Sequence, residues 1–137
     1  MNREEMDAML NDHFMYEATD NVEGVLSTLT DDVRHDVTGS PWGTLVGKDA
    51  VRPFYEQLFR DLKGEGVEPI ARSYGDDFMI DEAIWTGHLA DARVFGLDGR
   101  SGHVSFRLLH VLEFRDGKIS RENVWSDVAA IAAQTEA

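Results

Sequence analysis

Apolar residues in the first half of the chain recur at the three-and-four spacing of amphipathic helices. This spacing predicts three helices, at about residues 3–18, 20–28 and 49–62. Pro53 falls in the first turn of the third helix, where the missing amide hydrogen is tolerated. Between the second and third helices, residues 33–38 alternate and are rich in β-branched side chains, which predicts a short strand. The sequence Gly39-Ser40-Pro41-Trp42-Gly43 follows as a turn-forming loop.

The second half of the chain changes to the period of two that is typical of strands. We expect four strands, at about residues 68–73, 78–92, 102–114 and 119–126, and a short closing helix at 128–133. Asp116-Gly117 is the clearest hairpin signal. Helices followed by a meander of strands indicate an α+β fold, in which a curved sheet wraps over its helices. The length of 137 residues favours one domain, residues 1–137.

Composition excludes several classes of function. The chain has no cysteine, which removes disulfides, thiolate metal sites and cysteine nucleophiles. Its formal net charge of −13 repels nucleic acid and anionic membrane surfaces, although this acidity also serves ordinary solubility. Neither a signal peptide nor an apolar membrane span is visible, so we expect a cytoplasmic protein.

His110 is the most informative titratable residue. It shares one face of its predicted strand with apolar residues only: Val104, Phe106, Leu108, Leu112 and Phe114. The opposite face includes Arg107 and Glu113 and is expected to lie outside. An imidazole among apolar neighbours titrates close to neutral pH and is either a structural group bonded to a buried carbonyl or a functional one.

Further candidates lie on the first strand and on the helices. Asp36 directly precedes the Gly39 loop, where we expect its carboxylate at the rim of the enclosed space; the alternative is an aspartate that caps the turn. His35 points to the opposite face of that strand. His13 and Tyr55 lie on the core-facing sides of the first and third helices, and the Tyr55 hydroxyl either is satisfied there or faces a ligand.

No sequence pattern indicates a metal or a nucleotide. The five histidines lack the spacing of zinc ligands, and both HExxH and the phosphate-binding glycine patterns are missing. We therefore expect an activity that needs no metal and no cofactor.

The directions of two side chains stay open. His88 lies on a predicted strand whose two faces both mix apolar and polar residues, and the direction of Trp125 is also undecided.

With these residues the sequence resembles the SnoaL-like polyketide cyclase and ketosteroid isomerase branch of the nuclear transport factor 2-like superfamily. The resemblance is carried by four segments in order: residues 18–29, 31–39, 47–55 and the hairpin 114–119. It implies a cone of three helices packed in a strongly curved, mostly antiparallel sheet, also described as cystatin-like. It further implies a homodimer through the outer sheet face, which the apolar Leu109 and Val111 on that face also favour.

The resemblance also implies roles for individual residues. Asp36 matches the general base of the isomerases, with a gap of one residue before it. His110 falls where the isomerases have a protonated aspartic acid and where the cyclases have a histidine. His13 falls at the position of the isomerases' oxyanion-hole tyrosine, and Tyr55 matches the tyrosine that supports it.

One position departs from the cyclase pattern, and one pair of histidines is similar to another group of the superfamily. The aspartate that acts as acid and base in SnoaL-like cyclases and limonene epoxide hydrolases falls on Val124, which cannot transfer a proton. His88 and His110 together are similar to the histidine pair of scytalone dehydratase-like enzymes. The members of the superfamily include ligand-binding proteins as well as enzymes, and the fold alone does not separate them.

The sequence thus predicts a cofactor-independent enzyme that removes a proton next to the carbonyl of a hydrophobic polyketide, terpenoid or steroid-like compound. Isomerisation, cyclisation and dehydration share that step. Asp36 would accept the proton, and His110 with His13 or Tyr55 would stabilise the enolate oxygen. The residues expected to line the substrate site are Phe54, Val104, Phe106, Leu108, Val124, Trp42 and His88. The alternatives are a non-catalytic binding module and a water-activating epoxide hydrolase.

Overall fold

The computed structural model describes residues 1–137. Four α-helices are present: α1 (Arg3–Ala18), α2 (Val22–Ser27), α3 (Lys48–Asp61) and α4 (Val128–Gln134). Six strands accompany them: β1 (Leu29–Val37), β2 (Thr44–Val46), β3 (Leu62–Gly75), β4 (Phe78–Leu89), β5 (Gly102–Arg115) and β6 (Lys118–Ser126). A short 3₁₀ helix at Arg93–Phe95 lies between β4 and β5.

The six strands form one curved sheet in the order β2-β1-β6-β5-β4-β3. Neighbouring strands are antiparallel except for β1 and β6, which run parallel. The predicted α+β fold is therefore confirmed. The parallel pairing brings the first strand beside the last one, so β6 lies between β1 and β5.

The helices cover one face of the sheet because each has a single apolar side. α1 begins with a capping box, in which Asn2 and Glu5 each bond the other's backbone amide, and its interior side carries Met6, Leu10 and His13. α3 buries Val51, Phe54 and Tyr55. These side chains belong to a core that continues through the inner faces of β1, β4, β5 and β6.

Pairing between strands changes several of the predicted boundaries. The second helix ends at Ser27, and residues 30–32, which fall between the predicted second helix and the predicted first strand, lie inside β1. Strand β2, which was not predicted, has only three residues and pairs with β1. Residues 63–66, which follow the predicted third helix and precede the next predicted strand, extend β3 because they pair with β4 across a bulge. Cross-strand pairing outweighs the poor strand propensity of Lys, Gly and Glu.

No helix of the chain combines the length and the apolar character that crossing a membrane requires.

Candidate active site

A cavity of about 440 Å³ lies between the helices and the inner face of the sheet. Most of its wall is apolar, and seven aromatic rings contribute to it: Phe14, Phe54, Tyr55, Phe59, Trp85, Phe95 and Phe106. The exposed lining residues Asp20, Lys63 and Glu65 mark its opening. Four buried lining residues are polar and lie close together, and they form the polar end of the cavity: His35, Asp81, His110 and Glu122. A mostly apolar pocket with a few convergent polar groups is the pattern of a small-molecule site.

Glu122 is the centre of this polar end. Its side chain is 1% exposed, and its two carboxylate oxygens have separate partners. The Tyr55 hydroxyl donates to Oε1 at 2.7 Å, and His13 Nε2 lies 3.0 Å from Oε2. Two more imidazole nitrogens approach it, His35 Nε2 at 3.3 Å from Oε1 and His110 Nε2 at 3.7 Å from Oε2. One buried carboxylate is thus surrounded by three histidines and a tyrosine.

Strand register explains why these groups meet. Glu122 on β6 is paired with His35 on β1, while His110 on β5 is opposite Val124, two residues farther along β6 on the same face. His13 and Tyr55 reach the same point from the interior sides of α1 and α3. The site therefore depends on five elements, and no two of its residues are neighbours in sequence.

The hydrogen bonds of Thr28 determine the protonation of His13. The Thr28 hydroxyl uses its only proton on the carbonyl of Val25, at 2.6 Å, so it accepts from His13 Nδ1 at 2.8 Å. With a proton on Nδ1, the approach of Nε2 to the Glu122 carboxylate requires a second proton. His13 is thus an imidazolium that is fully buried beside Glu122.

The pKa shifts of His13 and Glu122 have the directions that this pairing requires. Burial alone lowers the pKa of His13, but the attraction of Glu122, with Glu17, outweighs it and raises the pKa from 6.5 to about 9. Burial acts to raise the pKa of Glu122, yet His13 and the hydrogen bonds from the histidines hold it well below its ordinary value. The pair is charged throughout the neutral range.

Glu17 is a second carboxyl beside the same imidazolium. It lies one helical turn after His13, with Oε1 at 3.6 Å from His13 Nε2, and it lines the cavity with 23% of its side-chain surface accessible. Burial raises its pKa to about 7, and His13 opposes this shift while Glu122 adds to it. Glu17 therefore exchanges protons near neutral pH and faces the cavity while it does so.

His110 is a further titratable group that lines the cavity. Burial lowers its pKa below 6.5, so the ring is neutral at pH 7. It makes no hydrogen bond within the protein, and its buried Nδ1 has no partner. The Phe14 ring packs edge-on against it at 5.1 Å between centroids. A neutral imidazole with an unused ring N–H is a suitable donor to a substrate oxygen.

Asp81 completes the polar wall. It is opposite His110 in the pairing of β4 with β5, and its Oδ1 accepts from Arg72 Nε at 2.7 Å. The same guanidinium also donates to Asp7 Oδ1 at 2.9 Å. Asp81 is therefore an ion-paired carboxylate rather than a free base.

The predicted residues divide into three groups. Six line the cavity: His110, Tyr55, Phe54, Phe106, Leu108 and Val124. His13 lies directly behind the wall, bonded to Glu122. The other three expected lining residues lie outside the cavity. Val104 is buried in the core, Trp42 packs edge-on against the Phe54 ring, and His88 is exposed. Arg107 and Glu113 are outside, as expected.

The expected position of Asp36 at the rim of the cavity is wrong. Its Oδ2 accepts from Thr44 Oγ1 at 2.7 Å, in a polar surface groove that also contains Arg34 and Arg121. His35 points inward instead and is 2% exposed. Val33 and Val37 share the face of His35 and are buried, so the apolar face of β1 was the signal that identified the inner residue.

Sequence reasoning missed Glu122, Glu17, His35 and Asp81. Besides His35, two of them carried a signal: Glu122 shares its strand face with Val124, and Glu17 lies four residues after His13 on the same side of α1. The ligating atoms of His13, Glu17 and Glu122 lie within 4.8 Å of one another and could hold a metal ion. Such an ion would have to displace the proton between His13 and Glu122.

The curved sheet, the helices packed on its inner face and the cavity between them form a nuclear transport factor 2-like fold. A family model described as SnoaL-like domain matches residues 5–122. The chain belongs to this SnoaL-like family. A search of curated proteins finds no match.

Solved structures share the fold at low sequence identity. A protein from Xanthomonas campestris described as a candidate polyketide cyclase has a TM-score of 0.79 at 18% identity, over 98% of each chain. An epoxide hydrolase from M. tuberculosis described as LEH-like has a TM-score of 0.73 at 15% identity, over 94% of this chain and 87% of that one. A hypothetical protein from Catenulispora acidiphila with a ketosteroid isomerase-like fold, in complex with trimethylamine, has a TM-score of 0.74 at 13% identity, over 92% and 90%. These likenesses concern the fold.

Proposed function

We propose that the protein is an acid–base enzyme that removes a proton next to the carbonyl group of a hydrophobic compound. One observation carries this proposal: Glu17 and His110 face an apolar cavity and flank the same buried carboxylate, Glu122. Glu17 replaces Asp36 as the proposed base, since Asp36 lies outside the cavity.

Each group has the protonation state that its role requires. An ionised Glu17 accepts the α-proton, and its pKa of about 7 keeps it both available as a base and able to return the proton. Neutral His110 donates a ring N–H to the carbonyl oxygen as negative charge develops there. Burial raises the pKa of Glu17 and lowers that of His110, and opposite pKa shifts in two neighbouring titratable groups are typical of acid–base sites.

The fate of the enolate then decides the product. If Glu17 returns the proton to a different carbon, the reaction is an isomerisation. If the enolate carbon attacks a second carbonyl within the substrate, a ring forms, and if a β-hydroxyl leaves as water, the result is dehydration. All three need one proton acceptor, one donor and an enclosure that excludes bulk water.

Deuterium exchange tests the proposal without knowledge of the natural substrate. We expect the protein to accelerate exchange of the α-protons of 2-tetralone in deuterated water at pD 7.5, followed by NMR. Glu17→Gln should lower the rate by about 100-fold to 10,000-fold, and His110→Asn by about 100-fold. The exposed Glu4 on the same helix provides a matched control, and Glu4→Gln should keep the wild-type rate. A rate equal to that of the control without protein would contradict the proposal.

A non-catalytic binding module is the second candidate. It is supported by the complete pairing of Glu122, His13 and Tyr55, which leaves these groups with structural roles. Such a protein would bind 2-tetralone without accelerating exchange. Epoxide opening is a third possibility, in which Glu17 activates a water molecule; hydrolysis of styrene oxide, without exchange of the ketone, would favour it.

A further inference from the structure

Carboxylates outnumber cations in each group of charges around the cavity. The His13 imidazolium has two carboxylates beside it, Glu122 at 3.0 Å and Glu17 at 3.6 Å. The Arg72 guanidinium likewise bonds both Asp81 and Asp7, at 2.7 and 2.9 Å. Each cation neutralises one carboxylate, so each group keeps one negative charge when all its carboxyls are ionised.

Carboxylates also outnumber lysine and arginine side chains at the opening of the cavity. Lys63 is the only lysine or arginine in the lining, and its ammonium is already bonded to Asp20 at 3.0 Å and to the Phe59 carbonyl at 2.6 Å. Glu65 lines the same opening and pairs only with His103. The cavity therefore offers an entering anion no unpaired cation.

Within the cavity the excess charge is located on Glu17. Asp81 is paired with Arg72, and Glu122 is paired with the His13 imidazolium. Glu17 is the third member of the buried cluster and faces the apolar space. A carboxylate in such a place needs either a proton or a counter-cation, because bulk water does not solvate it there. The charged and titratable groups that face it are His13, Glu122 and Tyr55.

The rest of the wall suits the apolar part of an organic cation. Aromatic rings attract ammonium groups through the negative potential of their faces, and seven rings line this cavity. A lipophilic amine would find rings for its carbon skeleton and a carboxylate for its charge.

We propose that the cavity selects hydrophobic cations, such as protonated or quaternary amines, and rejects carboxylates and phosphates, with Glu17 as the counter-ion. The inference rests on the proposed function in one respect, since it names the class of substrate for the same site. A carbonyl compound with a basic nitrogen near its reacting carbon would place both its ammonium group and its carbon acid beside Glu17. Binding of the cation would displace the proton of Glu17.

Three naphthalene probes of similar size test this selection by titration calorimetry: trimethyl(2-naphthylmethyl)ammonium, neutral 2-acetylnaphthalene and anionic 2-naphthylacetate. At pH 8 we expect the ammonium probe to bind at least about tenfold more tightly than the acetate. Its affinity should fall about tenfold from pH 8 to pH 6, as Glu17, with a pKa of about 7, becomes protonated. At pH 6.5, heats measured in phosphate and Tris buffers should show proton release on binding.

Variants test whether the preference for the ammonium probe depends on Glu17. Glu17→Gln should lose both the preference for the ammonium probe and the pH dependence but retain binding of 2-acetylnaphthalene, while Glu4→Gln should behave as wild type. Equal affinity for the acetate and ammonium probes, or no binding of the ammonium probe, would overturn the proposal. If Glu17→Gln does not fold, the comparison of probes and the proton release in the wild-type protein still decide it. The ammonium probe has no carbonyl group, so this result is independent of the exchange assay on 2-tetralone.

Discussion

His13 and Glu122 are 109 residues apart in sequence, and His13 Nε2 lies 3.0 Å from Glu122 Oε2 in the interior of the protein. This ion pair joins the first helix to the last strand of the sheet. Buried charges are stable only when each keeps its partner and the partner keeps its opposite charge. The interior of this protein should therefore respond to pH and to substitution more strongly than its surface.

Stability should fall as the pH rises from 7 to 9.5. The folded-state pKa of His13, about 9, lies above the ordinary value of 6.5, so its contribution is complete below pH 6.5 and is lost as the pH passes through about 9. The total for this group is at most about 3 kcal/mol. Calorimetric unfolding at both pH values measures it. His13→Gln should weaken the pH dependence, whereas His88→Gln, at an exposed site, should preserve it; an unchanged slope in His13→Gln would contradict the assignment.

Replacement of Glu122 should be severely destabilising. Glu122→Gln removes the nearer of the two carboxylates beside the buried His13 imidazolium and leaves only Glu17, at 3.6 Å. Loss of one partner of a buried pair costs about 3–5 kcal/mol. Glu113 on β5 faces the outer side of the sheet and provides the control. Glu113→Gln should change the free energy of unfolding in urea by less than about 1 kcal/mol. Similar losses of unfolding free energy in both variants would contradict a larger contribution of the buried pair to stability.

Thr28 should set the protonation of His13. Thr28→Val removes the acceptor of the Nδ1 proton, so we expect a lower pKa of His13 by ¹⁵N NMR titration and a loss of about 1–3 kcal/mol of stability. Thr28→Ser keeps the hydroxyl and should retain the pKa. Equal pKa values of His13 in the two variants would contradict the role of the Thr28 hydroxyl.

Asp36→Asn should leave activity within about twofold of wild type, because surface substitutions far from a site have small effects. Its carboxylate bonds Thr44 in a groove outside the cavity. The exchange rate of 2-tetralone is again the measurement, with Glu17→Gln beside it. A large loss in Asp36→Asn, with normal activity in Glu17→Gln, would restore the base that the sequence resemblance implied.

A homodimer through the outer face of the sheet remains a prediction. An apolar stripe crosses this face, since Ile80 pairs with Val111 and Leu109 pairs with Trp125, whose side chain is 40% exposed. Light scattering should give twice the mass of one chain at micromolar concentration and moderate salt, where self-repulsion is screened. Trp125→Glu should shift the protein to the monomer, whereas the same change at Val46, exposed on β2, should not.

Local pattern was sufficient for most of the fold. The limits of α1 agree with its apolar spacing, and the alternation of β5 placed His110 inside with Phe106 and Leu108. These predictions succeed because burial imposes a period of 3.6 residues on helices and of two on strands. The boundaries that failed, in β1 and β3, lie where pairing with another strand decides the conformation.

The sequence by itself determined the class of fold, the apolar interior and three of the polar groups that meet there: His13, Tyr55 and His110. Only the tertiary structure decided which carboxylates join them. Alternation gives a strand two faces, but the helices packed on the sheet select the inner one, so His35 lies inside and Asp36 outside. Parallel pairing of β1 with β6 then places Glu122 beside His35, because register between distant strands is fixed by the packing of the whole sheet.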